Sequence, residues 1–145
     1  MLKKNLIVVL MAGGVGVRFW PYSRNSKPKQ FLDVLGSGKT LLQSTYERYL
    51  PICEPENIYV VTSEEHAHLV HKQLPALPPQ QILKEPMRKN TAPCIAYASL
   101  KIRKKNPDAV MVVSPSDHLI LKEAEFAATV MKAAEQAAQD DKLIT

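Results

Sequence analysis

Leu6-Ile-Val-Val-Leu-Met11 runs straight into Ala12-Gly-Gly-Val-Gly-Val-Arg-Phe-Trp-Pro21, and the hand-over between the two halves decides the fold. The apolar run has the length and β-branched content of a strand buried on both faces. Gly13, Gly14 and Gly16 stand at the mouth of that strand, with Arg18 close behind. Glycines at such a point let backbone N–H groups approach an anionic ligand with no Cβ in the way. Arg18, Arg24, Lys27 and Lys29 follow within a dozen residues, so a polyphosphate suits the combination better than any other common ligand.

Two familiar nucleotide motifs fail on this chain. A G-x-G-x-x-G fingerprint begun at Gly14 needs a third glycine where Phe19 stands, and it needs a helix that Pro21 and Pro28 oppose. Gly36-Ser-Gly-Lys-Thr40 resembles the end of a Walker loop, but the first glycine of that motif falls on Asp33. The better reading is a tight turn, followed by Thr40 as N-cap and Gln43 three residues on, a capping box.

Working outward, short apolar runs alternate with helical periodicity. Strands are predicted over 5–11, 57–61, 81–84 and 109–114, and helices over 40–50, 63–74, 91–105 and 123–139. Ser63 and Thr91 are the expected caps of the second and third helices. Apolar strands between helices imply an α/β domain, a mainly parallel sheet with helices on both faces. Ligands bind such sheets at the carboxyl ends of the strands. Three loops follow strands there: 12–30, 85–90 and 115–118. The proline-rich stretch 75–79 leads into a strand and reads as a connector. Leu143-Ile-Thr145 reads like the start of another strand, so the expectation is a domain cut short on its C-terminal side.

At 145 residues the chain can bury one real core, and its net charge of +5 is concentrated in the glycine-rich loop and in Lys101-Ile-Arg-Lys-Lys105. That second run ends a helix, where cations suit the dipole, and no aromatic residues interleave with it, so nucleic-acid binding is not expected. The apolar run 6–10 is too short to span a membrane, and no cleavable leader pattern follows it. Cys53 and Cys94 lack metal-ligand spacing and read as reduced, buried thiols of a cytoplasmic protein. His66, His68 and His71, with Glu64 nearby, read as a wet helix surface rather than a metal site.

Two further loops could carry chemistry. Asp117, just past the fourth strand, is placed either to hold Mg²⁺ between phosphate oxygens or to close an Asx turn. Glu85 could accept the N1–H and 2-amino donors of guanine, and Asn90 or Thr91 could bond a base or ribose. In the alternative, Thr91 is only a cap, Pro93 sits in the first helical turn, and Glu85 and Arg88 are solvated.

Gly13-Gly-Val-Gly-Val-Arg18, Trp20-Pro-Tyr-Ser-Arg24, Pro28-Lys-Gln-Phe31, Glu85-Pro-Met-Arg-Lys-Asn-Thr-Ala-Pro93 and Pro115-Ser-Asp-His118 together resemble the sugar-nucleotide pyrophosphorylases, most closely the mannose-1-phosphate guanylyltransferase branch. Lys89 departs from the arginine usual at its position, keeping the charge but losing bidentate bonding. The resemblance implies a Rossmann-like nucleotidyltransferase fold, of which residues 1–145 form the nucleotide-binding part. It also implies transfer of GMP from GTP to mannose 1-phosphate, giving GDP-mannose and pyrophosphate. Arg18 and Lys29 would then be catalytic. Ala12, Gly13, Gly14, Gly16, Glu85, Asn90 and Thr91 would bind nucleotide, and Asp117 would hold Mg²⁺ with a second aspartate of the later half. That half, with its sugar-binding loops and F-x-E-K-P-like motif, is not in these residues, so the fragment is expected to be inactive alone. The alternatives are a non-catalytic GTP-binding module and a pyrophosphorylase for another sugar 1-phosphate. Oligomeric state stays open, a homodimer being one option.

Overall fold

The computed structural model describes residues 2–14, 19–87, 90–140 and 142–145. A short helix α1 (Leu2–Asn5) leads into β1 (Leu6–Met11). Then come α2 (Leu41–Tyr49), β2 (Ile58–Ser63), α3 (Ala67–Gln73), β3 (Ile82–Glu85), α4 (Thr91–Arg103), β4 (Val110–Pro115) and α5 (Glu123–Asp140). The four strands form one sheet in the order β3-β2-β1-β4, and every neighbouring pair is parallel.

Period-two alternation divides the core into two layers. Leu6, Val8 and Leu10 of β1 face one side, with Ile58 and Val60 of β2, and meet Leu42 and Tyr49 of α2, Val70 of α3 and Ala134 of α5. Ile7 and Val9 face the other side and meet Cys94, Ala98 and Ile102 of α4. Both faces of the sheet are therefore covered, which is why β1 and β2 carry almost no polar residue before their carboxyl ends. The expected α/β architecture is the one found.

Local signals act where the sequence placed them. Thr40 Oγ1 accepts the Gln43 N–H at 3.3 Å, and Gln43 Oε1 accepts the Thr40 N–H at 2.9 Å, closing the capping box of α2. In the turn before it, the Asp33 carboxylate accepts the N–H groups of Ser37 and Gly38 at 3.0 and 2.7 Å. The residue that stands in place of the Walker glycine thus occupies N–H groups a phosphate would need. Gly36 and Gly38 take φ of +66° and +79°, the left-handed conformation that glycine adopts without strain.

Three expectations change. The second helix is preceded by a separate 3₁₀ turn over Glu64–His66, capped by Ser63, whose Oγ accepts the His66 N–H. α4 begins at Thr91, so the cap position is Asn90, and its side chain makes no capping bond. Strands β2, β3 and β4 each run on past their predicted ends. In β2 and β3 the ladder pairs Thr62↔Lys84 and Ser63↔Glu85 continue after the apolar residues stop. No helix among the described residues is long and apolar enough to cross a membrane.

Candidate active site

Strand order fixes where a ligand can enter. From β1 the chain winds outward to β2 and β3, then returns to place β4 on the opposite side of β1. Between β1 and β4 the direction of winding reverses, the point at which open α/β sheets place their ligand crevice. The pair Met11↔Pro115 marks its floor. Ser116 closes it from one side, with its N–H at 3.3 Å and its hydroxyl at 2.7 Å both donating to the Met11 carbonyl. Asp117 comes next in the chain.

Gln30 fixes the glycine turn from the other side. The 3₁₀ turn Lys29–Phe31 buries Gln30 and Phe31. From there Gln30 Nε2 donates to the carbonyls of Ala12 and Gly14, at 2.8 and 2.9 Å. Thr62 Oγ1 also donates to the Ala12 carbonyl at 3.0 Å, and the Ala12 N–H donates to the Val61 carbonyl at 2.8 Å. Ala12 therefore contributes shape, with both of its backbone groups engaged inside the protein. Gly14 is exposed and open, since a Cβ there would meet nothing within 4 Å. Gly13 is different: a Cβ would lie 3.1 Å from Glu85 Oε2. The missing side chain at Gly13 is what lets the buried Glu85 carboxylate sit against the turn.

The same turn that buries Gln30 brings Lys29 to Asp117, 88 residues away in sequence, with Nζ 3.5 Å from Oδ2. The lysine also stands 4.9 Å above the Phe19 ring, and His118 Nε2 lies 3.9 Å from the other Asp117 oxygen. With its partner side chains 26 % and 41 % exposed, such a pair adds about 0–1 kcal/mol to stability. Its interest lies in position: a cation and a carboxylate share the mouth of the crevice. Among the described residues no three His, Cys, Asp or Glu side chains are gathered for a metal. The part-exposed Asp117 carboxylate nevertheless fits Mg²⁺, which takes one or two carboxylates and completes its shell with phosphate oxygens and water.

Glu85 ends β3 at the same edge of the sheet, backed by Cys94 from α4. Burial first, and then the charge and hydrogen bond of Glu85, push the Cys94 thiol up to about 11. Asn90 and Thr91 are exposed at the start of α4, and Asn90 has φ +65° and ψ −163°. The structure thus brings Gly13, Gly14, Lys29, Glu85, Asn90, Thr91 and Asp117 to the carboxyl edge. Gly16 and Arg18, with Arg88 and Lys89, lie outside the described residues.

Sequence reasoning passes over three supporting residues, Gln30, Thr62 and Ser116. Two of them stand inside motifs already quoted, so a polar residue beside a motif lysine or aspartate is a usable signal. His66 contradicts its sequence reading. It is 1 % exposed, not wet, and is held by Ser63 and by the Asn25 carbonyl. His68 does remain exposed on α3.

A parallel sheet whose winding reverses between β1 and β4, edged there by a glycine turn, a lysine and an aspartate, defines a Rossmann-like α/β domain. The chain belongs to the nucleotidyl transferase family, whose model matches residues 7–145. It is 43 % identical over 143 residues to the xanthan biosynthesis protein XanB of Xanthomonas campestris, covering 97 % of this chain and 30 % of XanB. To the mannose-1-phosphate guanylyltransferase of Klebsiella pneumoniae it is 41 % identical over 144 residues, covering 97 % of this chain and 30 % of that enzyme. Among solved structures, a Thermus thermophilus protein named mannose-1-phosphate geranyltransferase superposes with a TM-score of 0.81 at 30 % identity, over 92 % of this chain and 38 % of the other. The chain therefore spans about 30 % of the length of the curated relatives it matches.

Proposed function

We propose that the β1/β4 crevice binds GTP and forms the nucleotide half of a site that transfers GMP to mannose 1-phosphate, releasing pyrophosphate and GDP-mannose. The observation that carries this reading is the meeting of Lys29 and Asp117 at the mouth of the crevice, 3.5 Å apart, beside the glycine turn. The names of the Klebsiella and Thermus relatives support the choice of sugar phosphate.

The nucleophile in such a transfer is a sugar-phosphate oxygen, which is already anionic near neutral pH and needs no general base. It attacks the α-phosphorus in line, the new P–O bond forming as the bond to the leaving pyrophosphate breaks. The work left to the protein is positioning and the neutralisation of charge that grows on the leaving group. Lys29 turns from Asp117 toward the phosphates near the reacting centre, while Arg18 is assigned to the triphosphate. The open face of Gly14 admits the phosphate chain close to the backbone. Glu85, held against Gly13, accepts from guanine N1–H and the 2-amino group, and Asn90 and Thr91 face the nucleoside. Asp117 would hold Mg²⁺, which would supply positive charge to offset that of the phosphates.

The test is pyrophosphate release from GTP and mannose 1-phosphate by an enzyme of the relatives' full length that carries these residues. Lys29→Ala is expected to lower turnover about 10²-fold, as loss of a preorganised charge stabiliser does. Asp117→Asn is expected to shift the Mg²⁺ titration to higher concentration while the melting temperature holds. Wild-type kinetics in both variants would remove the assignment. Saturable GTP binding with no pyrophosphate release in the unsubstituted enzyme would instead favour a non-catalytic GTP-binding module. For residues 1–145 alone the expectation is weak GTP binding with little turnover.

A further inference from the structure

We propose that His66 is a positioning residue that clamps the basic turn of residues 24–27 to the end of β2, holding it at the carboxyl edge of the sheet. The clamp rests on its own geometry, and its consequence for ligand affinity rests on the nucleotide-binding reading above.

Arg24 and Lys27 exchange both backbone hydrogen bonds, at 3.2 and 2.9 Å, which leaves Asn25 and Ser26 at the tip of a two-residue turn. Just before it, the N–H groups of Tyr22 and Ser23 both return to the Phe19 carbonyl, at 2.9 and 3.0 Å. These bonds shape the segment but do not attach it to the sheet. His66 does so: its Nε2 lies 2.6 Å from the Asn25 carbonyl, 41 residues away in sequence.

Donor counting sets the direction of that bond. A carbonyl oxygen can only accept, so Nε2 carries the hydrogen. Ser63 Oγ accepts the His66 backbone N–H at 3.2 Å and also lies 3.2 Å from Nδ1. The imidazole thus engages both nitrogens, one toward the strand end and one toward the turn. Ser63 is itself part of the ladder, paired with Glu85, so the anchor reaches the sheet directly. The Phe31 ring packs against the imidazole with centroids 6.0 Å apart and planes tilted by 55°. Phe31 belongs to the 3₁₀ turn that presents Lys29. One buried side chain therefore joins the tip of the basic turn to the base of the segment that carries the site lysine.

The function of such a clamp is preorganisation. Arg24 and Lys27 lie on the turn just before Lys29, and ordering a loose turn when a polyphosphate binds would cost affinity. Asn25 is exposed, so its carbonyl can turn to water if His66 is lost, and the effect should be local rather than a collapse of the core.

Two variants separate packing from the hydrogen bond. His66→Leu keeps an apolar volume against Phe31 but has no donor, whereas His66→Gln restores an N–H near the position of Nε2. Amide hydrogen exchange is followed in the whole 145-residue chain, and GTP affinity is measured by calorimetry. The expected result for His66→Leu is exchange about fivefold to tenfold faster at Arg24 and Lys27 with Leu10 and Val60 unchanged. GTP affinity should fall about threefold to tenfold. His66→Gln should recover both to within about twofold. Unchanged exchange at Arg24 and Lys27 in His66→Leu overturns the clamp, as does a His66→Gln variant no better than leucine. Uniformly faster exchange across core and turn assigns His66 a purely structural role and also overturns it. If the unsubstituted chain binds no GTP, the nucleotide reading and the affinity consequence fall, while the exchange result still decides on the clamp.

Discussion

Asn90 combines φ +65° with ψ −163°, a region that glycine occupies freely and other residues enter at a cost of about 1–3 kcal/mol. It stands where the segment after Glu85 turns into α4, and its side chain does not cap that helix. A residue kept in a strained conformation without a local reward points to a side chain needed elsewhere. Asn90→Gly is therefore expected to raise stability by about 1 kcal/mol, the relief of strain exceeding the greater chain entropy of glycine. GTP affinity should fall about threefold or more through loss of the side-chain amide's hydrogen bond. Thermal melts and calorimetry on the same variant check both signs, and a more stable variant with intact affinity would remove Asn90 from the nucleotide site. At this scale the sequence is half legible. Gly13 can be marked as a place where backbone must be approached, but the approaching group, Glu85, comes from another strand. Lys29 and Asp117 can each be named within a motif, but no local pattern reveals that a 3₁₀ turn brings them together. His66 defeats local reading because a histidine in Ser63-Glu-Glu-His66 has the spacing of an exposed first turn, whereas burial depends on residues 25 and 31 arriving from elsewhere.

The elements are more legible than their ends. Short continuous apolar runs, helical periodicity and capping residues are local, and they predict all four strands, the four long helices and the box at Thr40. Strand ends escape because ladder pairing continues through Thr62, Ser63 and Glu85 without apolar side chains. Those polar extensions lie at the carboxyl edge, where Thr62 bonds the Ala12 carbonyl and Glu85 lies against Gly13. Helix packing also has a chemical consequence. Cys94 on α4 packs beneath Glu85, and Cys53 packs behind β1, with both thiols raised to about 11, chiefly by burial. Because their ordinary value is near 9, the folded state favours the protonated thiols. That contribution is fully present below pH 9 and is lost as pH rises through about 11. Iodoacetamide at pH 8 should therefore leave both cysteines largely unlabelled in the folded chain and modify both rapidly in denaturant. Fast labelling of the native chain would mean that one of these layers is open.

Over the whole molecule, charge is distributed to match topology. The carboxyl ends of the strands carry Lys29, with Arg24 and Lys27 on the turn clamped above them. A second basic groove, of about 350 Å³, lies between α4 and the starts of β2 and β3, lined by Tyr59, Tyr97, Lys101 and Lys105. There the ammonium groups of Lys101 and Lys105 lie over the rings of Tyr97 and Tyr59, at 5.6 and 5.4 Å, and no glycine turn or carboxylate accompanies them among the lining residues. The two regions make opposite predictions for where a nucleoside triphosphate binds. The direct test is an NMR titration of the 145-residue chain with GTP, followed at the backbone amides. Weak but saturable shifts should gather at Gly13, Gly14, Glu85, Asn90 and Asp117 and vanish in Lys29→Ala. Shifts confined to Tyr59, Tyr97 and Lys101, or none at the crevice at saturating GTP, would contradict the account.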